Sequence, residues 1–328
     1  MIRRVRSYLA RGMQAVNSLR GEDSYDRNEP APEGEASQWS TFTHVRAIMS
    51  DAEVAARTGD GLACLRILRR LPFDDFGHLL ISLPLAEYPA ISAVLPSMVS
   101  AEVQRAWTGN DGLTLLKQTN TFVRMVAQNF VMARGGSLDD IRILDFGCGY
   151  GRILRSMLYF SDPEHLHGCD PWDEAIRLCR DSRVMARIAL SEYLPARLPF
   201  DGRFDLIYAF SVFTHLSARA TRCCLETLQR YIDVGGMLVI TVRPLEYWCA
   251  DSKIPDCERE GLIAAHRSHG FAFRPHDRAP VDGDITYGDT SMTADYIGNV
   301  VPGLTIRRIE HALDDPYQLT MFLEVNRH

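Results

Sequence analysis

The second half of the chain alternates two kinds of stretch. Short apolar runs lie at residues 141–146, 165–170, 186–191, 204–210 and 237–242, and stretches with helical periodicity lie at 150–160, 172–181 and 218–232. Short runs that are apolar on both faces predict strands buried on both sides, and the helical stretches between them predict βαβ units around a parallel sheet. Residues 233–236, Asp-Val-Gly-Gly, predict a turn before the fifth strand. Two later apolar runs, 304–309 and 319–325, are joined by a short connection through Asp314, Asp315 and Pro316, which predicts an antiparallel pair closing the sheet. Together these give an α/β, doubly wound, mostly parallel seven-stranded sheet with an antiparallel last strand.

Upstream the periodicity is helical. Residues 51–57 and 62–71 read as helices, Ser100 as the N-cap of another, and 112–128 as a longer one with Leu113, Leu116, Phe122 and Val126 as its buried stripe. The stretch 79–99 is apolar enough to raise a membrane span, but Pro84, Glu87, Pro89 and Pro96 interrupt it. Residues 243–303, rich in His, Asp, Gly and Pro, predict a long functional loop. Residues 1–20 carry five arginines and no acid, with Ile2, Val5, Leu9, Met13 and Val16 at helical spacing. Such a basic amphipathic helix suits peripheral contact with an anionic membrane or a partner, a transit peptide, or packing on the chain's own body, and the sequence leaves these open. The acidic, Pro- and Gly-containing residues 21–38 read as a flexible linker. The expected organisation is a basic helix and linker over 1–40, an N-terminal helical segment capping the site over 41–135, and an α/β domain over 136–328 with an insertion at 243–303.

Composition narrows the function classes. The 328 residues are 46% hydrophobic and 24% charged, with a formal net charge of −6. That is a globular composition, and the acidic balance argues against a general electrostatic grip on nucleic acid. Eight cysteines include no CxxC pair and no Cys/His set at zinc spacing, so no metal is implied and free thiols in a reducing cytoplasm are expected.

The chemistry begins in the loop after the first strand. Gly147, Gly149 and Gly151 stand between a buried strand and a helix, where backbone without Cβ lets a ligand approach closely. A dinucleotide fingerprint has the spacing GxGxxG and would place its third glycine at 152; this chain has Arg152 there and the spacing GxGxG. Asp170 closes the second strand nineteen residues after Gly151 (170 − 151), where an acid accepts both hydroxyls of a ribose; its competing reading is a helix N-cap.

The run from Ile143 to Arg152, with Asp145-Phe146-Gly147-Cys148-Gly149-Tyr150-Gly151 at its centre, resembles motif I of class I S-adenosylmethionine-dependent methyltransferases. Residues 204–209 and 234–240 resemble the fourth and fifth strands of that family. Ser211-Val212-Phe213-Thr214-His215-Leu216 is similar to a bacterial subgroup that also carries a Trp-x-Gly-x-x-Gly pattern, matched here by Trp107 to Gly112, and a late Tyr-Gly pair, matched by Tyr287-Gly288. The resemblance implies a Rossmann-like fold and S-adenosyl-L-methionine as cofactor. It implies that Asp145, Gly147, Cys148, Gly149, Tyr150, Gly151 and Arg152 line the methionine and ribose side. Asp170 would bind the ribose, Pro171 or Trp172 would stack near adenine, and Phe210 and Ser211 would border the sulfonium. Apart from the resemblance, Trp107 and Gln118 are candidates to cap the cofactor from the helical segment, with core packing the alternative reading of Trp107. The family often ends its third strand in an acid for the adenine amine; here Ser191 and Glu192 are the nearest candidates.

Methyl transfer needs a placed nucleophile and, for a hydroxyl or amine, a proton acceptor. His215, just past the fourth strand, is the candidate general base, with a helix cap or packing role as its alternative. His266, His269, His276, Asp284 and Tyr287 in the insertion are further candidates to reach over the site. The expected function is methylation of an oxygen or nitrogen on a small molecule or glycan. A non-catalytic S-adenosylmethionine-binding or scaffold protein and an NAD-dependent oxidoreductase are the alternatives, the latter weakened by Arg152.

Overall fold

A computed structural model describes residues 37–252 and 254–325. The basic N-terminal stripe and nearly all of the linker expected up to residue 38 lie outside the described residues. The chain divides into two compact units: one runs to Asn120 and includes Ser182–Met185, and the other comprises Thr121–Asp181 and Ala186 onward.

The first unit is helical: α1 (Gln38–Thr41), α2 (Thr43–Arg57), α3 (Gly61–Leu68), α4 (Phe73–Ser82), α5 (Pro89–Val94), α6 (Ala101–Thr108) and the start of α7 (Gly112–Arg134). Met49, Leu65, Leu68, Phe76, Leu79 and Ile91 are fully buried and form its core. Glu53 is buried too, and its carboxylate accepts from the first backbone N–H groups of α5, at Ala90 and Ile91, 3.0 Å each. A carboxylate there satisfies donors that the helix cannot satisfy itself. Ser100 caps α6 as expected, accepting from Val103 N. The apolar stretch 79–99 breaks at Leu83 into α4 and α5, and among the described residues no helix is long and apolar enough to cross a membrane.

Helix α7 runs on to Arg134, past the expected end at 128, and the boundary between units falls inside it. Its second half belongs to the second unit because its apolar face is buried there: the Phe122 ring meets Tyr208 and Phe210 at 6.0 and 4.7 Å. The buried stripe is Leu115, Phe122, Val126 and Phe130, while Leu113 is 61% exposed. The expected stripe was out of phase at its start, because Leu113 falls off the face that Leu115 begins.

The second unit is the α/β domain. Its strands are β1 (Ile143–Phe146), β2 (Leu166–Asp170), β3 (Arg187–Leu190), β4 (Phe204–Ala209) and β5 (Ile232–Val242), with α8 (Arg152–Met157), α9 (Asp173–Asp181) and α10 (Ala218–Tyr231) between them. The insertion is not a loop. It holds α11 (Glu246–Ala250), α12 (Asp256–His269), the antiparallel strands β6 (Phe271–Pro275) and β7 (Gly288–Met292), and α13 (Ala294–Val300). Tyr247, Trp248, Ile254, Leu262 and Ala272 give it a small core of its own, which the His, Asp, Gly and Pro content concealed. The chain ends in β8 (Leu304–His311) and β9 (Leu319–Val325).

The seven-stranded sheet has the order β3-β2-β1-β4-β5-β9-β8, parallel from β3 to β5, with β9 antiparallel to both neighbours. Residues 233–236 are not a free turn but a bulged start of β5, with Gly235 at φ +76° and a register shift opposite β4. Strand order reverses between β1 and β4, so a crevice opens at their carboxyl ends, where open α/β sheets take ligands. Helix α8 sits close on β2 because Gly168 has no side chain: a Cβ there would lie 2.7 Å from Leu154 Cδ1.

Candidate cofactor and acceptor site

The glycine loop leaves β1 with Gly147, Gly149 and Gly151 all at positive φ, a region that side chains with a Cβ avoid. At Gly147 (φ +78°) space adds to this, since a Cβ would run into Val212 Cγ2. The loop is tied to the next strand. Asp170 accepts from Gly149 N through Oδ2 and from Trp172 N through Oδ1, 3.0 Å each. The acid therefore joins the two features that the sequence spacing linked. Burial pushes the Asp170 carboxyl up to about 6, against the pull of those two backbone N–H groups.

Asp145 is 1% exposed at the end of β1, and the Tyr208 hydroxyl is the side-chain group beside its carboxylate, at a geometry short of a full hydrogen bond to Oδ2. Burial pushes this carboxyl well above its usual range, opposed by the charge of Arg152. The Arg152 guanidinium stacks over the Phe210 ring at 5.1 Å. Ser211, two residues after β4, is at φ +58°, an uncommon conformation for a residue with a Cβ. Its N–H donates to Thr241 Oγ1 at 2.7 Å, and its hydroxyl accepts from Gln318 Nε2 at 3.2 Å. Cys148 is buried against Cys179, which with burial holds its thiol far up, so Cys148 is an inert part of the loop.

Beside this cradle the insertion builds a second cluster. The β6–β7 pair is pinned to the carboxyl ends of the sheet by backbone bonds: Gly288 N to His215 O at 2.8 Å, Thr290 N to Thr214 O at 2.9 Å and Met292 N to Arg243 O at 3.1 Å. Arg243, immediately after β5, donates to Asp289 Oδ1 at 2.7 Å and to Thr214 O at 2.8 Å. His276 Nε2 lies 3.0 Å from Asp289 Oδ2. Burial alone would raise Asp289, but the hydrogen bond from His276 and the charge of Arg243 outweigh it and hold the carboxyl below its usual range. Tyr287 stacks on His215 with ring centres 4.8 Å apart and planes 4° apart, and Arg278 covers a face of Tyr287 at 3.9 Å.

His215 is a fixed ring. Its Nδ1 donates to Gly288 O at 2.7 Å, which leaves Nε2 as the acceptor, and Nε2 faces Arg243 Nη2 at 3.4 Å. Burial first, and the Arg243 charge second, pull its pKa down to about 3. The imidazole is neutral at physiological pH and a weak proton acceptor, so this geometry opposes the general-base role expected from its position.

Residues 143–236 match the family model of the methyltransferase domain. This chain carries a class I S-adenosylmethionine-dependent methyltransferase domain. Solved structures similar to it include a magnesium protoporphyrin IX methyltransferase from Synechocystis PCC 6803, at 13% identity and TM-score 0.43, covering 69% of this chain and 93% of that one. A glycopeptide N-methyltransferase shows 11% identity and TM-score 0.42, over 61% of this chain and 92% of that one. An S-adenosylmethionine-dependent methyltransferase from Methanosarcina mazei shows 16% identity and TM-score 0.43, over 58% and 94%. A comparison with curated proteins gave no match.

The residues of the methyltransferase domain fit its cofactor. The buried Asp145 carboxylate, with only the Tyr208 hydroxyl near it and Oδ2 not fully bonded, is an acceptor that the ammonium group of S-adenosylmethionine would satisfy. Gly147 to Gly151, Asp170, Phe210 and Ser211 gather at the carboxyl ends of β1, β2 and β4, with Pro171 and Trp172 half-buried just after β2. Of the two candidates after β3, Ser191 is the inward one: its Oγ is buried beside the Cys169 thiol, whereas Glu192 is exposed. Trp107 and Gln118 lie on α6 and α7 within the first unit, so their contact with the cofactor stays an expectation. Sequence reasoning passed over Arg243, Asp289 and Gln318. Each had a signal: Arg243 is a charge directly after a buried strand, Asp289 directly follows Tyr287-Gly288, and Gln318 directly precedes the last strand.

Proposed function

We propose that the chain transfers the methyl group of S-adenosylmethionine to an oxygen or nitrogen of a small molecule or glycan. The observation that carries this reading is the joint formed by Gly149 N and Asp170 Oδ2, which ties a glycine cradle to a ribose-binding acid at the carboxyl ends of the central strands. S-adenosylmethionine supplies a methyl group on a sulfonium, whose departure needs no activation by the protein. The work left to the chain is to hold and orient.

Asp170 would hold the ribose hydroxyls, Asp145 the ammonium, and the Ser191 hydroxyl the adenine edge. Phe210 and Ser211 would border the reacting centre. The acceptor would sit against the wall made by Tyr287, His276 and the Arg243–Asp289 pair, where an aromatic ring beside polar groups matches the mixed surface of a sugar or a phenol. His215 is read as a neutral post that keeps the insertion strands against the end of β4. The test is release of S-adenosylhomocysteine by the full chain across a panel of nucleotide sugars, glycans and small phenols. Acceptor-dependent release with at least one compound is expected. Binding of S-adenosylmethionine with no release across the panel would favour a scaffold and sink the reading.

A further inference from the structure

His276 and Asp289 form a dyad that the cofactor cradle does not use. We propose that His276 is the proton acceptor for the methylated group, with Asp289 as its positioning residue and Arg243 anchoring Asp289. The inference rests on the methyltransferase reading above and adds the base that His215 does not provide.

The dyad is built by the insertion. His276 follows β6 directly, and its N–H donates to Tyr287 O at 3.1 Å; Asp289 lies in β7, opposite Arg274. The same two strands are bonded to Thr214, His215 and Arg243, so they deliver the dyad to the carboxyl ends of β4 and β5. There His276 lies 6.5 Å from His215 and 5.6 Å from Tyr287, measured between ring centres. Gly147, in the cradle, touches the same segment through Val212, whose carbonyl accepts from His215 N.

The two histidines differ in what their nitrogens face. An ionised carboxylate only accepts, so Asp289 Oδ2 at 3.0 Å fixes the proton of His276 on Nε2. Nδ1 of His276 then carries a lone pair, and no hydrogen-bond partner for it is found among the described residues. The His276 side chain is 25% exposed, whereas Asp289 is 7% exposed. A buried acid behind an open imidazole is the arrangement in which the acid sets the tautomer and steadies the cation formed on protonation. Both nitrogens of His215 are instead engaged, by Gly288 O and Arg243.

The step balances without another reactant. The acceptor's O–H or N–H proton passes to His276 Nδ1, the electron pair of that oxygen or nitrogen forms the bond to the methyl carbon, and the carbon–sulfur bond breaks with its pair remaining on sulfur. His276 returns the proton to water after release.

The test uses the full chain and His276→Gln, whose amide can keep a hydrogen bond to Asp289. Three measurements separate the outcomes. Nitrogen-15 NMR of the ligand-free protein at pH 7.5, with the His276 signals assigned by their loss in His276→Gln, should show protonated Nε2 and bare Nδ1; a proton resting on Nδ1 overturns the proposal. Calorimetric titration with S-adenosylmethionine should give the same Kd within twofold for both proteins; loss of binding in the variant overturns it by making His276 a cofactor ligand. With the panel compound that wild type methylates, S-adenosylhomocysteine release should fall about 10²–10⁴-fold in kcat; retention of kcat within threefold overturns it. If wild type methylates nothing in the panel, the functional reading fails, and the tautomer alone decides the dyad. Asp289→Asn should shift the His276 tautomer toward Nδ1–H, which a purely structural Asp289 would not do.

Discussion

Gly147→Ala tests the cradle most directly. The residue sits at φ +78°, and a Cβ there would collide with Val212 Cγ2. The left-handed backbone costs an alanine roughly 1–2 kcal/mol. Forcing a methyl group against a β-branched side chain adds about 1–3 kcal/mol, because Val212 has little freedom at χ1. The sum is about 2–5 kcal/mol. If the loop stays in place, this appears as lost stability in urea unfolding; if the loop moves, it appears as weaker cofactor binding of about 30-fold or more, at about 1.4 kcal/mol per factor of ten. Titration calorimetry with S-adenosylmethionine and S-adenosylhomocysteine, run beside urea unfolding, covers both routes. The double variant Gly147→Ala, Val212→Ala should recover the collision part relative to Val212→Ala alone, leaving only the backbone cost of about 1–2 kcal/mol. Wild-type affinity together with wild-type stability in Gly147→Ala would refute the reasoning, because neither the φ angle nor the contact would then constrain the loop.

Asp170 predicts a pH dependence. Its carboxyl lies at about 6 in the folded chain against an ordinary value of 3.8. The folded state therefore holds the proton more tightly, so the contribution of Asp170 to stability is fully present below pH 3.8 and is lost as pH rises through about 6. Cofactor affinity runs the other way, since the ribose hydroxyls need the ionised acceptor: Kd measured by calorimetry should weaken about tenfold from pH 7.5 to 5, and Asp170→Asn should flatten that profile. Arg243→Met leaves Asp289 buried without its guanidinium and should cost about 3–5 kcal/mol in urea unfolding. In the same variant the His215 pKa should rise from its depressed value, read by NMR titration, because the Arg243 charge is a cause of that depression second only to burial. Trp248→Phe removes the indole N–H bond to Ser291 Oγ, 2.6 Å and buried, and should cost about 1–3 kcal/mol; an unchanged urea midpoint would show that the bond contributes nothing.

The cofactor half of the site was legible along the chain because it is local. Residues 145–152 and Asp170 are two strand ends and the turns that follow them, and the period of the apolar runs located both. Glycine permits the positive φ that Gly147 and Gly151 adopt in a tight turn after a buried strand, so the cradle could be read before any packing was known. The acceptor half was not legible in the same way. His215 and His276 are 61 residues apart (276 − 215) and look alike in sequence, each a histidine near the end of a strand. What distinguishes them is what their nitrogens face: Arg243 and Gly288 in one case, Asp289 alone in the other.

The sequence by itself determined the alternation of strands and helices in the parallel core, the antiparallel closing pair, the glycine cradle and its acid, since each depends on hydrophobic period, glycine or charge within some thirty residues; the order of the strands in the sheet came only from their pairing. Only the tertiary structure decided that residues 243–303 are a folded insertion bonded to the ends of β4 and β5, and that Arg243 and Asp289 neutralise each other in its shadow. The physical reason is that a proton acceptor is defined by burial and neighbouring charge, and these are set by long-range contacts that leave no periodicity in the chain.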